Sequence, residues 1–317
     1  MKIQRKPPFS FVSMDGRLGL RLVQGRALPE AVTVFAVLAV FLLLTAASRV
    51  QAQNLTLEGQ TGGFITPTGY TVQSPGHFFS APVVGFHYVR AGNVIGDIHT
   101  LSVTEGLGNR FEVGYTRSIH TNGDNPFLSP LWAFNGFNVV HGKVNVIPEN
   151  ARKIPFVPAI GVGFVYRSQD HYVSGALAAK TYNNGDVYIA GTKMLLNLRP
   201  PLLLNFGFKG TNGSIYGVGG NSPAFVGRLF GGLGIILPGP FGVVFVPAAG
   251  FTQEPRRVQN LPAADIPTTL DYAVRITQRK DARFAFDAGV GQVAGRIIPG
   301  VNLNARSVFG MGLSYKF

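Results

Sequence analysis

SVFGMGLSYKF, residues 307–317, alternates strictly between two kinds of side chain. Large apolar side chains occupy every second position: Phe309, Met311, Leu313, Tyr315 and Phe317. Small or polar residues fill the positions between them. Because successive side chains of a β-strand point to opposite faces, the segment predicts a strand with one apolar, aromatic face.

The same alternation recurs along the chain between clusters of Gly, Pro, Asn and Asp. It is clearest in four segments: Arg110–Thr116, Leu202–Lys209, Leu270–Thr277 and Arg283–Gly291. Weaker alternation lies at 83–89, 98–104, 138–147, 159–167, 186–195, 224–235 and 241–250, the last of which contains Pro247. Longer loops are predicted at 119–136, 168–184, 211–223, 252–268 and 292–305. The pattern is that of an all-β protein with ~12 strands, and ~10 or ~14 are the alternatives.

The composition of the two faces decides between a barrel and a soluble sandwich. Charged residues make up 14% of the chain and glycine accounts for 41 of 317 residues, whereas a soluble domain has about 25% charged residues. The face opposite the aromatic one is sparse and glycine-rich, as in the pairs Gly161/Gly163 and Gly289/Gly291. That face suits the inside of a membrane barrel, with the apolar face against lipid. We therefore predict a transmembrane up-and-down antiparallel β-barrel.

Residues 1–52 have the three parts of a secretory signal peptide. A basic segment is followed by the apolar stretch 31–47 and by a site of small residues ending at Ala52. We expect cleavage there and a single barrel domain over 53–317; an uncleaved anchor and a start at Met14 are alternatives. Removing residues 1–52 takes away seven of 28 basic and two of 15 acidic residues and lowers the net charge from +13 to +8. That reduction argues against a nucleic-acid partner.

Two short stretches resemble known proteins. The segment 307–317 resembles the closing strand of bacterial outer-membrane β-barrels, in which the terminal aromatic residue belongs to the signal read by the insertion machinery. LEGQTGGFITPTGYTVQSPG, residues 57–76, resembles the opening of uncharacterised outer-membrane barrel families, including those associated with exopolysaccharide secretion. The residues that carry this second resemblance are Gly62, Gly63, Thr66, Pro67 and Gly69. Both resemblances imply an outer-membrane location, and the first assigns the insertion signal to the aromatic face of the last strand.

Under the barrel assignment, the charged side chains on the glycine-rich face line the lumen. They are mostly basic: Arg110, Lys143, Arg167, Lys209, Arg228, Arg275, Arg283 and Lys316, against Glu112, Asp271 and Asp287. A basic lining favours anions, because charged groups in a low-dielectric wall select ions by sign. The alternative is that these side chains pair with one another and fill the lumen. Phe127, Leu131 and Trp132 are candidates for an inward constriction or for contact with lipopolysaccharide.

Catalytic, metal and cofactor signals are weak. The chain has no cysteine and six histidines, none of them in a close metal-ligand pair. His120 with Asp124, and Asp170 with His171, lie in predicted loops and are the candidates for acid–base pairs of a surface hydrolase. No nucleophile elbow or phosphate-binding loop is present. We therefore expect no enzyme activity, no bound metal and no cofactor.

The sequence as a whole predicts a passive outer-membrane pore or conduit for small solutes, anions among them, or a part of an envelope export system. The expected partners are outer-membrane lipid, lipopolysaccharide and the barrel insertion machinery. A non-conducting structural or adhesive barrel is the first alternative. A surface hydrolase barrel and a secreted soluble sandwich are the others.

Overall fold

The computed structural model describes residues 54–73, 77–132, 136–169, 183–259, 263–278 and 283–317. The signal peptide predicted over 1–52 lies outside these residues, and its cleavage stays a prediction. No helix in this part of the chain is long and apolar enough to cross a membrane.

Fifteen strands form in the described residues, and they agree closely with the alternating segments of the sequence. They are β1 (Val83–Arg90), β2 (Asp97–Leu107), β3 (Phe111–Thr121), β4 (Phe137–Ile147), β5 (Ala159–Gln169), β6 (Asn184–Leu195), β7 (Leu202–Gly213), β8 (Asn221–Ile235), β9 (Leu237–Pro238), β10 (Val243–Thr252), β11 (Thr269–Gln278), β12 (Phe284–Gln292), β13 (Ala294–Ile298), β14 (Val301–Ala305) and β15 (Val308–Lys316). A four-residue helix, α1 (Gly92–Ile95), joins β1 to β2.

Twelve of these strands, β1–β8, β10–β12 and β15, close into one antiparallel barrel. Each pairs with the next barrel strand along the chain, although β9 lies between β8 and β10 in the sequence and the hairpin β13–β14 lies between β12 and β15. Closure comes from β1 and β15, which pair from Val83↔Lys316 to Arg90↔Phe309. The predicted fold class and strand number are therefore confirmed. We call the end where β2 turns into β3 the short-turn end, and the opposite end the long-loop end.

Pro247 lies inside β10 without breaking it. On one side β10 pairs continuously with β11, with Pro247 opposite Val274. On the other side it pairs with β8 only from Ala248 onward and with β9 only at Val244 and Phe245. The proline therefore falls in an interval where the ladder on that side is interrupted, which is where a residue without an N–H is tolerated.

One predicted loop has regular structure. The segment 292–305 contains the hairpin β13–β14, whose register shifts twice within a few residues. Its irregular pairing explains why the sequence shows no clean alternation there.

The alternating faces point as the sequence predicts. Large apolar residues face outward and remain exposed on strands all around the barrel, among them Leu101, Phe164, Phe206, Tyr272 and Phe309. Their neighbours along each strand face inward and are buried. Since the buried face is partly polar and the exposed face is apolar, the distribution is the reverse of that of a water-soluble sandwich.

Candidate functional site in the barrel lumen

The lumen is occupied by residues 54–73, which we call the plug. Asn54 contacts Asp287 near the short-turn end of β12. Glu58 reaches Arg167 near the long-loop end of β5, and Tyr70 bonds to Glu149 back at the short-turn end. The plug therefore enters at the short-turn end, turns near Glu58 and turns again where Gly63 N–H donates to Thr66 O at 2.9 Å. Its end at Tyr70 lies at the short-turn end again.

The plug is separate from the barrel ladder. Its backbone is organised by its own hydrogen bonds, including Thr56 N to Gln60 O at 2.7 Å and Leu57 N to Phe64 O at 2.9 Å. Within the described residues, every backbone-to-backbone hydrogen bond of residues 54–73 joins two residues of the plug. All of its polar contacts with the wall involve a side chain. The plug can consequently leave the lumen without breaking the strand pairing that closes the barrel.

A buried ion pair on β3 and β4 holds the returning arm of the plug. Lys143 Nζ lies 2.9 Å from Glu112 Oε1, and neither side chain is exposed. The Thr61 N–H donates to Glu112 at 3.0 Å and the Val72 N–H at 3.2 Å, while Lys143 donates to the Thr61 carbonyl at 2.9 Å. A buried charge pair is stable only when its remaining hydrogen-bonding capacity is satisfied, and here plug backbone groups supply the partners.

A second ion cluster holds the tip of the plug. The Arg167 guanidinium makes a two-pronged contact with Glu58, with Nη2 2.9 Å from Glu58 Oε2. The same Nη2 lies 2.7 Å from Asp186 Oδ2 on β6, and Nη1 donates to Asn184 at 3.0 Å. Arg167 is thus shared between one carboxylate of the plug and one of the wall, and its side chain is 1% exposed.

A third contact joins the two arms of the plug to β11 and β12. Arg275 Nε lies 3.0 Å from Asp287 Oδ1, and Arg275 Nη2 donates to the Gly62 carbonyl at 3.0 Å. The Asn54 amide contacts the same Asp287 carboxylate. The Arg275–Asp287 ion pair therefore holds both the entering arm of the plug, through Asn54, and the returning arm, through Gly62.

The glycines of the inner face make room for the plug. A Cβ atom at Gly106 of β2 would overlap the backbone carbonyl of Val72. In the plug itself, a Cβ at Gly69 would overlap the carbonyl of Ala159 on β5. Close approach of two backbones requires glycine. The glycine-rich face that suggested a membrane barrel is also the surface against which the plug packs.

Glu149 anchors the returning arm at the short-turn end, in the turn that joins β4 to β5. Tyr70 donates to Glu149 at 2.8 Å, and Lys193 Nζ lies 2.8 Å from the other carboxylate oxygen. Burial by itself would raise the pKa of Glu149, but the hydrogen bonds from Lys193, the Met194 N–H and Tyr70 outweigh it and lower the pKa below the usual 4.5. Burial and the contact with Glu149 raise the pKa of Tyr70, which keeps its hydroxyl protonated as the donor.

This anchor predicts a pH-dependent effect of Glu149→Gln. Because the carboxylate is the form that makes the contacts, its stabilisation is present above the ordinary carboxyl pKa and is lost as the pH falls through the lowered one. We expect the substitution to reduce the free energy of unfolding by about 1 kcal/mol at neutral pH, since the site still has contact with solvent and its charged hydrogen bonds are partly screened. Denaturant unfolding at neutral pH and at about pH 3 tests this, because wild type and variant should converge in acid. An unchanged difference at the acid pH would contradict it, and Asp124→Asn in an exposed loop is the control.

Apolar side chains and a further charged contact lie at the long-loop end. Buried residues from the loops and from the inner strand faces form one cluster, which includes Ile95, Ile215, Ile266 and Leu303 and reaches Leu57 of the plug. Beneath it, Glu254 accepts from the Ile215 N–H at 2.9 Å and lies 3.8 Å from Lys209 Nζ. The loops after β7 and β10 are thereby drawn over the lumen.

The predicted lumen residues fall into three groups. Glu112, Lys143, Arg167, Lys209, Asp287 and Lys316 are buried on the inner face; Arg228, Asp271, Arg275 and Arg283 are half-buried. Lys316 donates to the Gln73 carbonyl of the plug, and Arg228 Nε donates to Glu254 O at 2.7 Å. Arg110 does not lie in the lumen, where the sequence predicts it. It lies exposed in the turn before β3, because the strand begins at Phe111 and the alternation does not extend into the turn.

The other candidate residues do not form a common site. His120 contacts the carbonyl of Ile95, while Asp124 is exposed in the following loop. Phe127 is 83% exposed, so it does not form the inward constriction considered for it. Asp170 and His171 lie outside the described residues, as do the side chains of Leu131 and Trp132. Among the residues with described positions, no three His, Asp or Glu side chains are grouped as metal ligands would be.

The plug and three carboxylates of the lumen have no clear signal in the strand alternation. Glu58 and Glu254 lie outside any strand, so alternation could not assign them to the lumen. Asp186 lies near the beginning of β6, where the predicted strand starts, so the alternation gives it no clear inward direction. One available signal was the length of the Gly-, Thr- and Pro-rich stretch between Ala52 and the first strand at Val83.

The fold and its lumen define a plugged, 12-stranded antiparallel β-barrel with an apolar outer face. No family model matches the chain, and the comparison with curated proteins finds no relative. Among solved structures, it is similar to LpxR from Salmonella typhimurium, with 12% identity and a TM-score of 0.46 over 74% of this chain and 100% of that one. It is also similar to the KdgM porin, with 11% identity and a TM-score of 0.43 over 74% and 99%. The COG4313 outer membrane channel from Pseudomonas putida F1 is similar with 12% identity and a TM-score of 0.39, over 77% of this chain and 100% of that one. These values are too low to transfer the function of any of these proteins to this chain.

Proposed function

We propose that this protein is an outer-membrane barrel and that its conduit is closed by the plug and opens when the plug is released. The membrane location is supported by the apolar outer face, which includes Phe111, Ile189 and Phe206 at 46–58% exposure. Burying such a face in lipid removes the unfavourable contact of apolar surface with water. The terminal strand β15, with its outward Phe309 and exposed Phe317, is the proposed insertion signal.

The gated conduit rests on one observation: residues 54–73 fill the lumen but contribute no strand to the barrel. A barrel of ~12 strands is wider than the ~8-stranded type, whose interior is filled by side chains alone. Here the additional space is taken by a separate segment held by polar contacts. Such contacts exchange readily for contacts with water, so release of the plug costs less than removing an equal area of apolar core.

The charge of the open conduit is part of this proposal. In the closed form Lys143, Arg167 and Arg275 are each paired with a carboxylate. Release of the plug removes Glu58 from the lumen and leaves Arg167 with Asp186 alone. The open lumen therefore gains positive charge, which favours small anions.

A disulfide that locks the plug tests the proposal. A Cβ built at Gly85 of β1 lies 3.4 Å from Leu55 Cβ of the plug, close to the 3.5–4.5 Å typical of a disulfide. Because the natural chain has no cysteine, the double variant Leu55→Cys/Gly85→Cys contains a single possible pair. Residue 73 is already tethered to β1 through the chain, so the bond fixes both ends of the plug to one strand.

We expect openings in planar bilayers when the pair is reduced and their loss when it is oxidised. The single variant Gly85→Cys is the matched control, and its conductance should change with neither reduction nor oxidation. Equal conductance of the oxidised and reduced forms would contradict gating by the plug.

A non-conducting structural or adhesive barrel is the second candidate. The observation that favours it is the apolar cluster at the long-loop end, which closes the lumen with loop residues in addition to the plug. This candidate predicts that the reduced double variant is also silent, although it inserts and folds.

A further inference from the structure

A cavity of about 320 Å³ lies between the plug and one side of the barrel wall. Its plug side includes Asn54, Phe64 and Tyr70, and its wall side consists largely of small residues from β8 and β10, such as Gly232 and Ala248. An apolar cavity of ~150 Å³ is large enough for benzene. The space beside the plug therefore admits an organic molecule the size of a sugar ring.

Two residues that line this cavity each carry a hydrogen-bond acceptor without a partner among the described residues. Asn54 is 4% exposed, and its Oδ1 has no hydrogen bond among the described residues. Asp271 on β11 lines the same cavity, and its Oδ1 is likewise buried without a partner. A buried acceptor without a donor is costly. The two groups call for a ligand that supplies N–H or O–H donors.

The charges around the cavity favour a cation. Its charged lining residues are Asp271, Arg275 and Asp287. Arg275 is engaged with Asp287 and with the Gly62 carbonyl, so Asp271 is the carboxylate left without a counter-ion among the described residues. The lining thus carries one net negative charge, although the inner face as a whole is rich in basic residues. A carboxylate in a poorly solvated site attracts an ammonium group more strongly than a neutral hydroxyl.

We propose that this cavity binds a small hydroxylated solute that carries a primary ammonium group, with the ammonium on Asp271 and a further donor on Asn54. Because the cavity exists with the plug in place, binding does not require the barrel to open. The ligand contacts both the plug and the wall, so its binding also favours the plugged form.

Calorimetric titration of the chain, purified in detergent, tests the proposal with glucosamine and glucose as probes. The two sugars differ only by an ammonium in place of one hydroxyl. We expect saturable binding of glucosamine and binding of glucose at least about tenfold weaker, the range expected for loss of one charged hydrogen bond. Asp271→Asn should weaken glucosamine binding by about the same factor.

The controls separate a local effect from misfolding. Asp265→Asn removes a carboxylate that is 74% exposed and should leave glucosamine binding unchanged. Ala248→Leu keeps Asp271 but narrows the cavity and should weaken glucosamine binding. Folding of each variant is checked by the heat-dependent mobility shift of barrels on gels. Absence of saturable glucosamine binding, equal binding of glucose, or unchanged binding in Asp271→Asn would each overturn the proposal.

Discussion

Deletion of residues 54–73 is expected to raise the single-channel conductance of this protein by at least about tenfold, because a lumen of ~12 strands is wider than one that side chains fill alone. Within the described residues the plug makes no backbone-to-backbone hydrogen bond to the wall, so the strand ladder should survive its removal. Planar-bilayer recordings of the intact and the deleted chain measure the effect. A salt gradient across the bilayer should then show preference for anions, and a preference for cations would contradict the proposed charge of the open conduit.

Adding the plug back distinguishes gating from damage. A synthetic peptide with the sequence of residues 54–73 should block the deleted barrel when it is added on the short-turn side, where both plug arms enter. The same peptide on the long-loop side should have little effect, since the apolar cluster lies in its way. If the deleted chain folds but does not conduct, the loop cluster is a sufficient barrier and the gating role of the plug is wrong.

The wall of the barrel could be predicted from the sequence because strand alternation is a local property. Phe309 and Tyr315 face outward, and Gly310 and Ser314 face inward, whatever the rest of the chain does. The ends of the strands were harder, and Arg110 shows why. In the sequence, Arg110 continues the alternation of Phe111 and Glu112. In the structure, the backbone turns at Arg110 and its side chain is exposed.

The plug could not be predicted in this way because its contacts are not periodic. Glu58 meets Arg167 and Thr61 meets Glu112 across sequence separations of 109 and 51 residues. The sequence indicated a basic lumen and left two alternatives open, an open basic pore and a lumen filled by paired charges. The structure has Lys143, Arg167, Lys209 and Arg275 each beside a carboxylate. Two of those carboxylates, Glu58 and Glu254, come from segments without strand alternation.

Arg167→Met is expected to be the single substitution that releases the plug most strongly. Arg167 is 1% exposed and is shared by Glu58 and Asp186. Its removal leaves the buried carboxylates of Glu58 and Asp186 without the guanidinium that they share, and breaking a buried pair in this way costs about 3–5 kcal/mol. Departure of the plug relieves part of that cost, because it carries Glu58 out of the low-dielectric lumen into water. The fraction of open channels should therefore rise by about 100-fold, which corresponds to about 3 kcal/mol of differential stabilisation.

The double variant Arg167→Met/Glu58→Gln isolates the cause. It removes the cation together with the plug carboxylate, so the repulsion between Glu58 and Asp186 disappears and the channels should close again in large part. Arg110→Met is the matched control, since it replaces an exposed arginine at the short-turn end and should leave the open fraction unchanged. Single-channel open probability measures all three variants, and the heat-dependent gel shift verifies that each barrel is folded. A folded Arg167→Met barrel that stays as closed as the wild type would show that the arginine does not hold the plug in place. Closure in the single variant and in the double variant alike would assign the retention of the plug to its contacts with Glu112 and Asp287 instead.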